Sequence, residues 1–520
     1  MKKLKHVLTP VNWNLGVWAA ICLLGVIMSS YAWVVASPTG ASPDDDFHQA
    51  SIWCPMPVDE SCVVGTDAEG DTTILIPETV TFSACYGFHN NTSAACTGQL
   101  SDDVMVVTPR FNDGGYPGGY YAFMHMFVEK DVDRTILVMR WVNVCLATVI
   151  YGTLFFLAPP SGRRLTAYML LGTSVPLVTY LATSINPSAW GILGVVSAWL
   201  ALHLGFSSES RPRRIALFGM SVVGATLAAT ARADAGSYLV IVACAAVVFN
   251  WTAIVHRLKL LIPVPIVAAI GVVGFMSGGQ NAALSSGMTG EVADHDPIRV
   301  LAYNLFQMPN FIAKFWNFDM GWLDTPVPLT TAVFSAAVTI GLCGFGLSRS
   351  RLRLSHALSL IGLAAAIIGV PVAVLQAGLN YYPEVVQIRY IAPLIVVFVG
   401  TCLADRNKKP NPLPLAATVC FVFLISVANA YALYTQIQRY VSGLSNSKVL
   451  NLSLNIQWWR AGGPSPMYTW LLGSLGFALM STILFAVRSQ RRDAPTPGQE
   501  PAPHDQPDMN ETVEDRVPQP

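Results

Sequence analysis

Three consecutive carboxylates beside a histidine, in Pro43-Asp44-Asp45-Asp46-Phe47-His48, form the most chemically suggestive stretch of the chain. Like charges so close together repel, and their proton affinities are expected to shift. Such a cluster can act as a general base towards a hydroxyl. It can also hold a divalent cation, Mg or Mn, the one cofactor the sequence suggests. The competing reading is a solvated acidic spacer, and all three stay open. Asp44, Asp45 and His48 are therefore the catalytic candidates, with no metal ligand singled out.

The cations come next. Arg389, in Val386-Gln387-Ile388-Arg389-Tyr390, sits at the edge of an apolar run. An arginine there is costly unless it is paired or reaches the interface. Phosphate suits its forked donors; the alternative is an interfacial anchor beside Tyr390. Arg140 lies about a turn and a half inside another apolar run, where a bare charge costs about 2.5–3.5 kcal/mol. It should face an acidic partner or a lipid phosphate, and a structural ion pair fits as well as a functional one. Arg232 and Asp234 read as a local salt bridge or as a substrate contact. Trp322 and Asp324, in Gly321-Trp322-Leu323-Asp324-Thr325-Pro326, read as a capped helix start or as a sugar-holding pair. There is no P-loop, Rossmann fingerprint, HExxH or nucleophile elbow.

The elements that must position these residues are apolar. Of 520 residues, 53% are hydrophobic and 12% charged, against about 25% charged in ordinary globular proteins. Basic and acidic residues balance at 31 each, so nothing suggests nucleic acid. Stretches long enough to cross a bilayer fall at about 12–37, 135–158, 165–184, 189–206, 214–232, 237–255, 260–276, 329–347, 355–377, 390–404, 413–436 and 466–487. The third, fifth and tenth are short or interrupted. Every second junction carries Lys or Arg: Lys2, Lys3 and Lys5; Arg163 and Arg164; Arg211, Arg213 and Arg214; Arg257 and Lys259; Arg349, Arg351 and Arg353; Arg406, Lys408 and Lys409; Arg488, Arg491 and Arg492. The positive-inside rule then places these clusters and both termini in the cytoplasm of a multi-pass plasma-membrane protein. Val35-Ala36 resembles a signal-peptidase site, but the apolar run before it is long, and an uncleaved anchor is expected.

The expected organisation is an N-terminal anchor over 1–37, a loop module over 38–133, a membrane domain over 134–488 and a disordered cytoplasmic tail over 489–520. Segments 277–328 and 437–465 of the membrane domain should be external. The first contains an amphipathic run near 298–316 suited to lying in the interface. The loop holds 15 of the 31 acidic residues and four of the ten cysteines. Exported cysteines pair by default, and proximity alone predicts Cys54–Cys62 and Cys85–Cys96. Residues 72–76 and 104–108 look strand-like, and Gly114–Gly119 makes a turn.

PDDDFH resembles the PDExxH pattern of a broad bacterial family of predicted polytopic membrane proteins of unknown function. Ser184-Ile185-Asn186-Pro187, GWLDTP at 321–326 and VQIRYIAP at 386–393 resemble three further motifs of that family, the last usually QGRYxxP. The resemblance spans about residues 10–490. Asp45 replaces the usual Glu and Ile388 the usual Gly. The family is in turn similar to GT-C glycosyltransferases. Those enzymes share a large first external loop with an acidic motif directly after the first helix, so the spans and cysteines above read as an all-α, GT-C-like membrane bundle of about twelve helices with a small disulfide-containing loop module. The resemblance also implies inverting transfer of a sugar from a polyprenyl phosphate to an extracytoplasmic glycan or glycolipid. On the same grounds, Asp44 or Asp45 would be the base with His48 its neighbour, Arg389 would bind phosphate, and Asp324 would shape the pocket. A transporter of lipid-linked sugars and a non-catalytic envelope scaffold are the competing functions.

Overall fold

The computed structural model describes residues 15–57, 62–81, 85–279, 292–350, 352–405, 413–446 and 450–486. The lysines at 2, 3 and 5, Arg351, the basic groups at 406–409 and 488–492, and the tail from 489 lie outside these residues, as does most of the Gly/Ser-rich part of 277–328.

Helix α1 (Leu15–Val35) leads into α2 (Asp45–Trp53). A three-stranded antiparallel sheet follows, β1 (Val64–Thr66), β2 (Thr72–Pro77) and β3 (Met105–Thr108), in the order β1-β2-β3. Ile74 pairs with Val64 on one side and Thr108 on the other. Ile74 and Ile76 project from the alternating β2 onto a core with Ile52, Tyr120, Ile136 and Trp190. Short helices α3 (Glu78–Thr81) and α4 (Gly119–His125) complete the module. Cys54 is bonded to Cys62 and Cys85 to Cys96, with Cα separations of 5.6 and 6.1 Å.

The bundle contains α5 (Val132–Leu157), α6 (Pro160–Gly172), α7 (Pro176–Ala182), α8 (Pro187–Ser207), α9 (Arg211–Ala231), α10 (Ala233–Ile254) and α11 (Pro263–Ser277). After α12 (Pro297–Ala313) come α13 (Leu329–Arg349), α14 (Leu354–Ala377), α15 (Ile388–Leu403), α16 (Leu415–Val441) and α17 (Pro466–Phe485). Ten helices among the described residues are long and apolar enough to cross a membrane, or eleven with the bent pair α6–α7.

Two of the spans that read as short or interrupted stand apart from the rest. The third is broken into α6 and α7, bent by 98°, because Pro176 starts a new helix and holds Val175 extended. The tenth, α15, has only 16 residues, about 24 Å of helix. It nevertheless lies mostly buried, as does α8, which occupies the centre of the bundle. Gly194 and Gly224 bring α8 and α9 into backbone contact: a Cβ on Gly194 would stand 2.5 Å from Ala228 N. Small residues permit such approach where lipid supplies no hydrophobic drive between helices.

Candidate functional site

The module hangs from α1 by a buried strap, residues 36–43, that has no strand partner among the described residues. A buried carbonyl must find a donor, and here distant side chains supply them. Arg140 of α5 donates to Val34 O at 3.0 Å, Ser37 O at 2.7 Å and Pro38 O at 2.7 Å. Arg460 also donates to Ser37 O, at 2.7 Å. Tyr86 Oη reaches Thr39 O at 2.5 Å, and Trp322 Nε1 reaches Gly40 O at 2.8 Å. Tyr180 and Tyr440 hydroxyls share Ala41 O at 2.7 and 3.0 Å. Asn186 Nδ2 and Arg389 Nη1 meet at Pro43 O, at 3.1 and 3.4 Å. Arg140 thus ties down the carbonyl end of α1, where the sequence suggested an acid or a lipid phosphate. Asn186 also caps α8 by accepting from Ser188 N at 2.9 Å.

The strap delivers the three aspartates in three directions. Asp44 is left-handed (φ 62°, ψ 21°) and makes no side-chain cap to α2. Its carboxylate meets Arg389 Nη2 at 2.5 Å and stands 3.8 Å from Arg110. Asp44's side chain is 41% exposed and Arg389's 2%. Burial pushes the Asp44 carboxyl up, but Arg389, His48 and Arg110 together hold it below the usual range. Asp45 turns inward, fully buried, accepting from Ser42 N at 2.9 Å and from Ser42 Oγ. Asp46 pairs with Arg110 Nε at 2.7 Å. His48 is buried and shares a 3.0 Å hydrogen bond with Tyr121 Oη. Of the three catalytic candidates, Asp44 alone presents its functional group to solvent.

Burial raises the Asp45 carboxyl from 3.8 to about 7, against the opposing bonds from Ser42. Burial lowers the His48 imidazole from 6.5 to about 3, against the pull of Asp44. The two act on stability with opposite sign. Asp45, raised, contributes stability that is full below pH 3.8 and lost as pH rises through about 7. His48, depressed, contributes stability that is full above pH 6.5 and lost as pH falls through about 3. Between pH 4 and 6.5 the slopes should cancel, leaving the thermal midpoint flat with respect to this pair. Asp45→Asn should unmask a rise with pH and His48→Gln a fall, each of about 1.4 kcal/mol per pH unit. Thermal unfolding of the three proteins in detergent measures it; parallel pH profiles for both variants would refute the assignment.

A cationic and aromatic wall stands beside Asp44. Arg389 lies in the first turn of α15 and also donates to Tyr390 Oη at 3.3 Å. The guanidinium carbons of Arg389 and Arg232 lie 5.2 and 4.7 Å from the Tyr390 ring centroid. Arg232, between α9 and α10, holds Asp234 through two 2.9 Å bonds and covers Tyr116 at 5.7 Å. The His48 and Tyr116 rings meet edge to face at 5.6 Å. Arg389 Nε is buried with no partner among the described residues. The wall can take an anion whose attached group packs on tyrosine.

Asp324 and Trp322 are placed differently. Gly321 and Leu323 both have positive φ, closing a turn bridged between Met320 and Thr325. A Cβ on Gly321 would stand 2.6 Å from Asp324 Oδ1. The turn buries Asp324 against Arg439 Nη2 at 2.9 Å. Arg439, 0% exposed, also donates to Thr92 O at 2.5 Å and Tyr86 O at 2.7 Å. Trp322 packs on Phe88 at 5.4 Å. This motif joins the module to the end of α16. No group of three or more His, Cys, Asp or Glu side chains suited to a metal occurs among the described residues.

Sequence reasoning passed over Arg439, Arg110, Tyr116 and Tyr121. Arg439 had a signal: a lone arginine after the apolar run of α16, in Gln436-Ile437-Gln438-Arg439-Tyr440. Arg110 and the two tyrosines sit in polar loop sequence that nothing distinguishes.

These features define a polytopic helical membrane protein whose loop module is clamped onto one end of the bundle. The family model of a predicted membrane protein, DUF2142, matches residues 27–398, and the chain belongs to that family. No curated protein and no solved structure matches the chain.

Proposed function

We propose that this protein is a GT-C-like inverting glycosyltransferase that moves a sugar from a polyprenyl phosphate to an extracytoplasmic glycan or glycolipid. The observation that carries the reading is the meeting of Asp44 and Arg389, 345 residues apart, at one partly open site. In this reading the ten long helices, the bent pair and α15 make twelve crossings of the plasma membrane. Both termini are cytoplasmic, and the module faces outward. The described basic residues Arg163, Arg164, Arg211 and Arg213 lie in the first turns of α6 and α9, and Arg257 and Lys259 follow the end of α10, as that orientation expects. Helix α12, with Ile298 and Phe306 each 78% exposed, suits the headgroup layer.

The chemistry is a single displacement. Asp44 takes the proton of an acceptor hydroxyl as its oxygen bonds to the anomeric carbon. The bond from that carbon to the phosphate oxygen breaks, and its electron pair stays on the phosphate. Arg389 stabilises this growing charge. Arg232 steadies the Tyr390 ring, on which the sugar or isoprenyl chain packs. Asp45, Trp322 and Arg140 act as positioning residues through the strap, His48 through Tyr121 and Asp324 through Arg439.

Wild-type protein in proteoliposomes, given polyprenyl-phosphate hexoses and lipid or glycan acceptors, should release free polyprenyl phosphate in step with a new glycosidic bond. Arg389→Gln should slow release by about 10²–10³-fold, the scale for losing one transition-state donor. Donor movement across the bilayer without any new glycosidic bond would favour a transporter and overturn the enzyme.

A further inference from the structure

Asp44 and Arg389 cannot do their work while they hold each other. Arg389 Nη1 is committed to Pro43 O, and Nη2 to Asp44 and Tyr390 Oη. Its Nε, which shares an edge of the fork with Nη2, is buried and unpartnered among the described residues. A phosphate engaging Nε and Nη2 together, the bidentate face of the fork, must take the place now filled by the Asp44 carboxylate.

The carboxylate is built to leave. It makes no cap to its own helix. A second guanidinium, that of Arg110, lies 3.8 Å from its other oxygen, 54% exposed and anchored by Asp46. Rotation about the Asp44 side chain therefore exchanges one cation for another instead of stranding a charge.

We infer that Asp44 is a latch on Arg389, displaced by the donor's phosphate, so that the base is released only when a donor is bound. This inference rests on the glycosyltransferase reading and adds its order of events: donor first, acceptor second. In the resting state Arg389 holds the Asp44 carboxyl low, which makes it a weak base. Once the phosphate has taken Arg389, that hold is gone and proton affinity rises. An acceptor hydroxyl reaching an empty site thus meets an inactive carboxylate.

The test uses polyprenyl phosphate without a sugar, binding to full-length protein in nanodiscs. A latch closed in nine molecules of ten weakens apparent affinity about tenfold. Asp44→Asn should therefore bind about tenfold more tightly than wild type, and Arg389→Gln should bind far more weakly than either. Asp44→Ser, which also removes the charge but is shorter, should repeat the gain and guards against a folding defect in one variant. Inorganic phosphate, run in parallel, separates a lipid-borne group from a free anion; competition by it at equal concentration would overturn the lipid assignment. Equal or weaker binding by both Asp44 variants, with Arg389→Gln still defective, overturns the latch and leaves the phosphate site standing. Absence of binding by wild type and all variants overturns the site itself.

Discussion

Asp44→Asn should transfer sugar about 10²–10⁴-fold more slowly than wild type, the usual worth of a positioned general base. The substitution is close to isosteric, and asparagine tolerates the left-handed backbone that residue 44 adopts. The strap should keep its course, because its carbonyls are held by other residues. Arg389 keeps Pro43 O and Tyr390 Oη, so the site loses a proton acceptor and the charge paired with Arg389. A maximal velocity at saturating donor separates this effect from binding. Undiminished turnover by a variant that melts like wild type would remove Asp44 from the chemistry. Asp45 is the natural comparison: its carboxyl is turned into the strap, so Asp45→Asn should disturb the pH dependence of stability before it disturbs catalysis.

The largest structural effect should come from Asp324→Ala. Arg439 is fully buried, and Asp324 is its counter-ion among the described residues. Removing one partner of a buried pair strands the other, typically at about 3–5 kcal/mol. Among the described residues Arg439 would keep the carbonyls of Tyr86 and Thr92 and the face of the Tyr440 ring, none of which carries a full charge. The variant should accumulate poorly and aggregate at a markedly lower temperature in detergent. Asp324→Asn should be milder, since its amide oxygen can still accept. Removing the charges together, as Asp324→Ala with Arg439→Met, should restore much of the loss, because no unpaired ion is then buried. Wild-type thermal behaviour of Asp324→Ala alone would show that the pair does not hold the module. A double variant no better than the single would assign the defect to the turn geometry.

The chemistry of this site was only partly legible in the sequence, and particular residues show why. The cysteine pairing followed from proximity, since Cys54 and Cys62, and Cys85 and Cys96, lie 8 and 11 residues apart. The strand-like runs became β2 and β3 because alternation is a local property. Most membrane helices were visible for the same reason: length and apolarity are written residue by residue. The break at Pro176 had its signal in the proline, yet hydropathy averaged over it. The directions of Asp44, Asp45 and Asp46 carried no local signal. Three neighbouring carboxylates look alike until the strap decides which is buried, and the strap is set by donors from Tyr86 to Arg460. Arg232 and Asp234 form the local pair that the spacing suggested, but its stacking over Tyr390 depends on α15 arriving beside it. Trp322 and Asp324 read equally as a capped helix start or a sugar-holding pair; in the fold Trp322 donates to Gly40 O and Asp324 accepts from Arg439.

The strap also ties the making of this protein to its last helices. Ala41 O waits for Tyr440, and Ser37 O for Arg460, residues the ribosome adds some four hundred positions later. Until they arrive, the module hangs from the first helix with part of its tether unpaired, and Asp44 has no Arg389 to meet. A nascent chain released early would carry every residue of the acidic box and still lack a formed site.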